Sequence, residues 1–250
     1  MSFGRRPLKG LSVLLAAFVA SSPALHAGIF DGLPKFSITK KFTDSDERAA
    51  QKLKEILRAG MLQAADMNGR KNGYLKNKSI RIALPEKIRR FESVLRKAGL
   101  GASLDDLILS MNRAAEQASP EALPMFLERL EPMTFEDARK TLKNKGPSAS
   151  ELFRARFRDE LIEIYRPVLT RTLASYDGAR RYRAVVQHYR ELPVASLYEL
   201  PAIEDYVTIQ ALEGLFHSLA EREKVLRHEM QTSKSAESEE KTLTDALQHA

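Results

Sequence analysis

The stretch Ser103–Ala118 leaves this chain little choice of local structure. Leu104, Leu107, Ile108, Met111, Ala115 and Ala118 recur at three- and four-residue intervals. That is the spacing of one face of a helix turning about 100° per residue. A helix with such a stripe has to bury it against a partner. Ser103 followed by Asp106 resembles a capping box at its start, with Asp where Glu is commoner. Leu109 falls among polar residues, which suggests that more than one face is covered.

Asp105, Asn112 and Glu116 run along one edge of the stripe, with Asp106, Arg113 and Gln117 on the far side. Asp105, Asn112, Arg113 and Glu116 form the candidate polar network. One reading makes them part of a binding pocket. The other makes them a hydrogen-bonded set that fixes how the helix packs, which is tolerated only when every member is satisfied. Polar networks fix packing more often than they form sites, so the second is the expectation.

The residues before this helix point to export. Arg5, Arg6 and Lys9 precede the apolar run Leu11–Ala20, and Ser21–Ala27 is rich in small residues. This is the order of a secretory signal, here residues 1–27, with cleavage near Ala24 or Ala27. The apolar run is half the ~20 residues a spanning helix needs, and no later segment is apolar enough to span. The expected location is the periplasm, in soluble form.

The formal charge is +7, and removing the three cations of the signal leaves +4, because no Asp or Glu precedes Asp31. So mild a charge does not call for nucleic acid, which leaves a concentrated basic footprint. The absence of Cys rules out a disulfide scaffold, a zinc–thiolate site, a thiol nucleophile and a lipid attached through Cys. A hydrophobic fraction of 43% in 250 residues suffices for one sizeable core.

Residues 28–43 read as an irregular leader and 44–230 as one helical domain. Residues 231–250, rich in Ser, Glu and Lys, read as a flexible tail. Within the domain a helix is expected from Asp44 or Ser45 to about Ala65. Asn72-Gly73 marks a turn, and Ile80–Leu84 alternates like a short extended piece before Pro85. Glu86–Ala98 reads as a helix stopped by Gly99-Leu-Gly101. Ser119-Pro120 reads as the cap of a new helix running to about Leu130. Further helices are expected over Thr134–Leu142, over Glu151–Ala174 with a kink at Pro167, and over Gly178–Arg190 with Asp177 as its cap. The last, Ala202–Met230, is apolar on most sides and therefore central, and Gly214 suits a close helix contact. The fold class is all-α, a single-domain bundle of about seven to eight helices with a short extended segment near Ile80–Leu84.

The order of several short stretches resembles one known family. Asn72–Asn77, Ile80–Pro85, Leu95–Gly101, Met111–Glu116, Pro132–Ala138 and Asp205–Phe216 are similar to the successive motifs of a bacterial family known as domain of unknown function 4197. The likeness covers about Asp46 to Met230, and its motifs are specific only in combination. Lys145–Ser150 departs from the family's glycine- and aspartate-rich loop. Glu213 stands where Asp is usual, and His217-Ser218 replaces apolar residues. The resemblance implies an exported, mostly helical protein and no activity.

Chemical motifs are sparse. There is no phosphate-binding glycine loop and no nucleophile elbow. His217 and Glu221 are spaced to share a metal ion, but no third ligand is evident, so a surface pair is the simpler reading. Asp105-Asp106, Glu136-Asp137, Asp159-Glu160 and Glu204-Asp205 mostly stand in first turns, where the helix dipole favours carboxylates. Arg154, Arg156 and Arg158, with Arg180, Arg181 and Arg183, could meet anionic head groups, although neighbouring acids favour a solvated face. No cofactor and no catalytic residue is expected. The function expected is a non-catalytic interaction in the cell envelope, with an envelope protein or a lipid as partner. The alternatives are a carrier of an apolar ligand, suggested by Met111, Met125 and Met133, and a hydrolase using the carboxylate seam.

Overall fold

A computed structural model describes residues 46–134, 141–143, 146–192 and 199–248, with side chains described over 47–233 within those ranges. The expected signal and leader lie outside the described residues, as do residues 135–140 of the helix expected from Thr134. Thr141 and Leu142 of that helix are helical. Among the described residues there is no β-strand, and the fold is all-α.

Helix α1 (Asp46–Gly69) buries Ala49, Leu53, Leu57, Met61 and Ala65 at strict four-residue spacing. Two single helical turns follow the loop after it, α2 (Glu86–Arg89) and α3 (Glu92–Leu95). A π-helical turn over Arg96–Leu100 then leads straight into α4 (Gly101–Leu130). Gly99 takes φ 90° inside that turn, a left-handed value that a side chain would strain. The helix expected over Glu86–Ala98 is therefore interrupted, and α4 begins two residues before Ser103. The expected capping box is not formed. No side chain caps α4, and Asp106 instead pairs with Arg181.

The break expected at Ser119-Pro120 is also absent, because α4 runs through both Pro120 and Pro124. A proline inside a helix costs about 3 kcal/mol. Against that cost, the buried stripe carries on without interruption through Ala118, Ala122, Phe126 and Leu130. The Ser119 hydroxyl turns back to donate to the Ala115 carbonyl at 2.8 Å instead of capping a new helix.

Helix α5 (Ala149–Ser175) opens on a complete capping box. Ser148 Oγ accepts from the Glu151 N–H, and the Glu151 carboxylate accepts from the Ser148 N–H at 2.8 Å. Pro167 lies inside this helix. Helix α6 (Gly178–Arg190) starts after Asp177, which is left-handed (φ 58°) and spends its side chain on Arg180 rather than on a cap. Helix α7 (Ile203–Gln248) continues well past Met230. The stretch expected as a tail is helical to Gln248. It contains no Gly or Pro to interrupt a helix.

The four long helices pack in the cyclic order α1, α4, α5, α7, each against its two neighbours in that ring. Helix α6 lies across α4, α5 and α7, and Phe91 ahead of α3 meets Tyr189 of α6 edge to face at 5.8 Å. One main core holds the assembly, with a small second cluster of Ile56, Ala59 and Leu226 between α1 and α7. Phe126 of α4, Phe153 of α5 and Phe216 of α7 converge, with ring centroids 5.4 Å apart for the pairs made by Phe126. Where α1, α4, α5 and α7 meet, a void of about 10 Å³ remains, lined by Leu57, Met61, Phe126, Leu127, Leu130, Phe153 and Leu219.

Candidate functional site: a polar clamp on the 70–85 loop

The residues between α1 and α2 have no helical period and no strand to pair with, so their backbone groups need other partners. Turn bonds supply some. Gly73 N–H donates to Arg70, Lys76 N–H to Asn72, and Arg81 N–H to Asn77. Side chains of α4 supply others. Asn112 is fully buried, and its Oδ1 accepts from the Ile82 N–H at 2.9 Å. Its Nδ2 donates to the Ile82 carbonyl at 2.8 Å and to the Ile108 carbonyl at 2.8 Å. One carboxamide thus makes the pair of bonds that a neighbouring strand would make.

One turn further along α4, Glu116 is 4% exposed. Its Oε1 accepts from the Tyr74 N–H at 3.2 Å and from the Leu75 N–H at 3.0 Å. Its Oε2 accepts from Arg113 Nη1, and Arg113 Nη2 reaches Asn72 Oδ1 at 3.0 Å. Asn72 sits at φ 71°, a left-handed position that Asn tolerates better than most residues.

Helix α7 grips the same loop. Fully buried Tyr74 donates its hydroxyl to the Ala211 carbonyl of α7 at 2.6 Å, and its ring lies on Gly214. Burial pushes the Tyr74 phenol well above its ordinary pKa. Asn68 of α1 donates to the Gly214 carbonyl at 3.4 Å and accepts from Ser218 Oγ at 2.9 Å. Tyr206 donates to the Ala83 carbonyl at 3.0 Å. Helices α4 and α7 therefore hold the loop, Asn68 ties α1 to α7 beside it, and the close approach at Gly214 is to an aromatic ring of that loop.

Asn112, Arg113 and Glu116 come together in this clamp, and Asp105 does not. The Asp105 side chain is 64% exposed and accepts twice from Arg96, at 2.6 and 3.1 Å. The Arg96 guanidinium holds its carboxyl below the usual range. Helical angle alone put Asp105 on the seam, two turns before the point where the loop meets the helix.

A second buried carboxylate went unnoticed in the sequence. Glu223 of α7 accepts from the Ala149 and Ser150 N–H groups, both at 2.8 Å, at the start of α5. It also pairs with Arg227, which donates to the Thr141 carbonyl. Its place between Leu219 and Leu226 on the apolar face was the available signal. Its four-residue spacing from Arg227 is equally the spacing of an exposed ion pair on a helix, so spacing alone does not single it out.

The remaining candidates lie apart. His217 and Glu221 are exposed, Glu221 pairs with Lys224 at 2.8 Å, and no group of three or more metal-ligating side chains occurs among the described residues. The two arginine groups are largely neutralised. Arg154 and Arg158 share Glu213, Arg180 pairs with Asp177, and Arg181 with Asp106.

The family described as protein of unknown function (DUF4197) matches residues 43–237. The chain belongs to that family. The match takes in the whole clamp, from Asn68 to Ser218. No curated protein and no solved structure matches the chain. Among the described residues no helix is long and apolar enough to cross a membrane.

Proposed function

We propose that this DUF4197 chain is an exported, non-catalytic interaction protein of the cell envelope, in which the clamp of Asn112, Arg113 and Glu116 holds the 70–85 loop in one conformation for a partner. The observation that carries the reading is how the buried polar atoms are used. Both Glu116 oxygens accept bonds from the loop backbone or from Arg113, and Asn112 gives its acceptor and both donors to backbone groups. A hydrolase would need Glu116 free to move a proton, and these bonds oppose that. A carrier would need a ligand space of roughly 300 Å³ or more. The void where the four long helices meet is about 10 Å³, room for one water, and the larger space of about 410 Å³ beside Pro85, Lys87, Glu199 and Pro201 is a groove open to solvent, not an enclosed apolar cavity between helices. Export is supported by the basic and apolar runs of residues 1–27.

Crosslinking in intact cells, with the periplasmic fraction separated and the protein's N-terminus sequenced, tests the proposal. The expected result is a start between residues 25 and 28 and a reproducible partner set. An uncleaved cytoplasmic chain, or no partner under several growth conditions, counts against it.

A further inference from the structure

We infer that the clamped loop is a docking surface for an anionic phospholipid bilayer. Arg70, Lys71, Lys76, Lys78 and Arg81 lie within twelve consecutive residues that include no Asp or Glu. All five side chains are exposed. Arg70 is spent on a nearby acid, Asp66, and Arg81 adds to the positive field on Asp105. Lys71, Lys76 and Lys78 make no ion pair. Taking these five charges from the +4 that remains after residues 1–27 leaves −1 for the rest of the chain. The whole positive excess is therefore carried by one loop, while the arginines of α5 and α6 are mostly paired.

The loop's inner side is fixed by Tyr74, Ile80 and Ile82, all buried, so its exposed cations are confined to the outer side. The turn bonds and the clamp hold the backbone before any partner arrives, so little ordering entropy opposes binding. Met67, in the last turn of α1 just ahead of Arg70, is 41% exposed. An exposed apolar side chain beside the basic cluster adds a small apolar contact to the electrostatic attraction that anionic lipid exerts on the cations. Nucleic acid suits the loop less well. Its one aromatic residue, Tyr74, is fully buried and cannot stack on a base.

The inference rests on reading the chain as an interaction protein. Vesicle binding is nevertheless measured in vitro, so it stands or falls apart from where the cell sends the protein. The test uses protein purified from its own cells and vesicles of phosphatidylglycerol with phosphatidylcholine, at near-physiological salt. Lys71→Gln, Lys76→Gln and Lys78→Gln together should weaken binding about a hundredfold, at about fivefold for each cation. Arg156→Gln, Arg183→Gln and Arg190→Gln together remove the same charge elsewhere and should leave binding within about threefold. Circular dichroism and melting of both triples establish that each is folded. Equal losses from the two triples overturn the inference, because net charge alone would then explain binding. A loop triple that binds like the wild type overturns it too, as does tighter binding to duplex DNA than to the vesicles.

Discussion

Asn112 is irreplaceable because two of its three bonds satisfy one residue, Ile82, whose own side chain is buried. Each buried backbone group left unsatisfied costs about 1–3 kcal/mol. Asn112→Ala is therefore expected to lower the unfolding free energy by about 2–4 kcal/mol in urea titration. Glu116→Gln leaves Arg113 facing a neutral amide. Loss of one partner of a buried pair costs about 3–5 kcal/mol, and the partial exposure of Arg113 reduces that to about 2–3. Asp105→Asn should produce no measurable change, because Arg96 and Asp105 meet in water. If Asp105→Asn proved as costly as Glu116→Gln, the boundary drawn around the clamp would be wrong. Periodicity placed Asn112 and Glu116 correctly beside the stripe. Their partners were illegible, because they are backbone groups 30 to 42 residues away in an aperiodic loop.

Gly214 shows at the level of whole helices how the loop limits α7. A Cβ there would lie 2.5 Å from Tyr74 Cε1. Overpacking of this kind costs about 1–3 kcal/mol, and the better helix propensity of alanine returns at most about 1. Gly214→Ala should therefore destabilise the protein. At Gly60 the nearest atom is the flexible end of Leu219, at 3.1 Å, so Gly60→Ala should be close to neutral or stabilising by comparison. Paired thermal melts decide between these signs. Helix α5 offers an acid test. The Ser148 bonds hold the Glu151 carboxyl below its ordinary value of 4.5. The folded pKa is depressed, so this stabilisation is present above the unfolded value and is lost as pH falls through the folded one. Glu151→Gln should flatten the stability profile below about pH 4.5. Helix existence was largely readable from spacing, but helix ends were not. Ser103-Asp106 and Ser119-Pro120 carry genuine cap signatures that tertiary packing overrode. The continuous burial from Leu104 to Leu130 outweighed local preference.

At the scale of the molecule, the tyrosines report on whether the core is intact. Burial raises the phenols of Tyr74, Tyr165 and Tyr206 above their ordinary value and pushes Tyr182 up to about 12. For a group whose folded pKa is raised, the stabilisation is complete below the unfolded value of 10 and is lost as pH climbs toward the folded one. Phenolate absorbance from these residues is expected to rise together with loss of circular dichroism. A rise that came well before unfolding would show the hydroxyls to be wet. The all-α class was legible because nearly every segment has a period. Closure of the ring α1, α4, α5, α7 was not, since no local pattern says which stripes face each other.

The clamp joins early and late parts of the chain. The loop lies between α1 and α4, yet Tyr74 needs the Ala211 carbonyl and Asn68 needs Gly214 and Ser218. During synthesis, residues 70–85 can be complete in sequence and still lack their final fastenings until α7 has docked. The Tyr74 hydroxyl bond to α7 would then act as a completion mark, formed only after the last helix is in place, whereas the Tyr74, Leu75 and Ile82 amides already find their acceptors on α4.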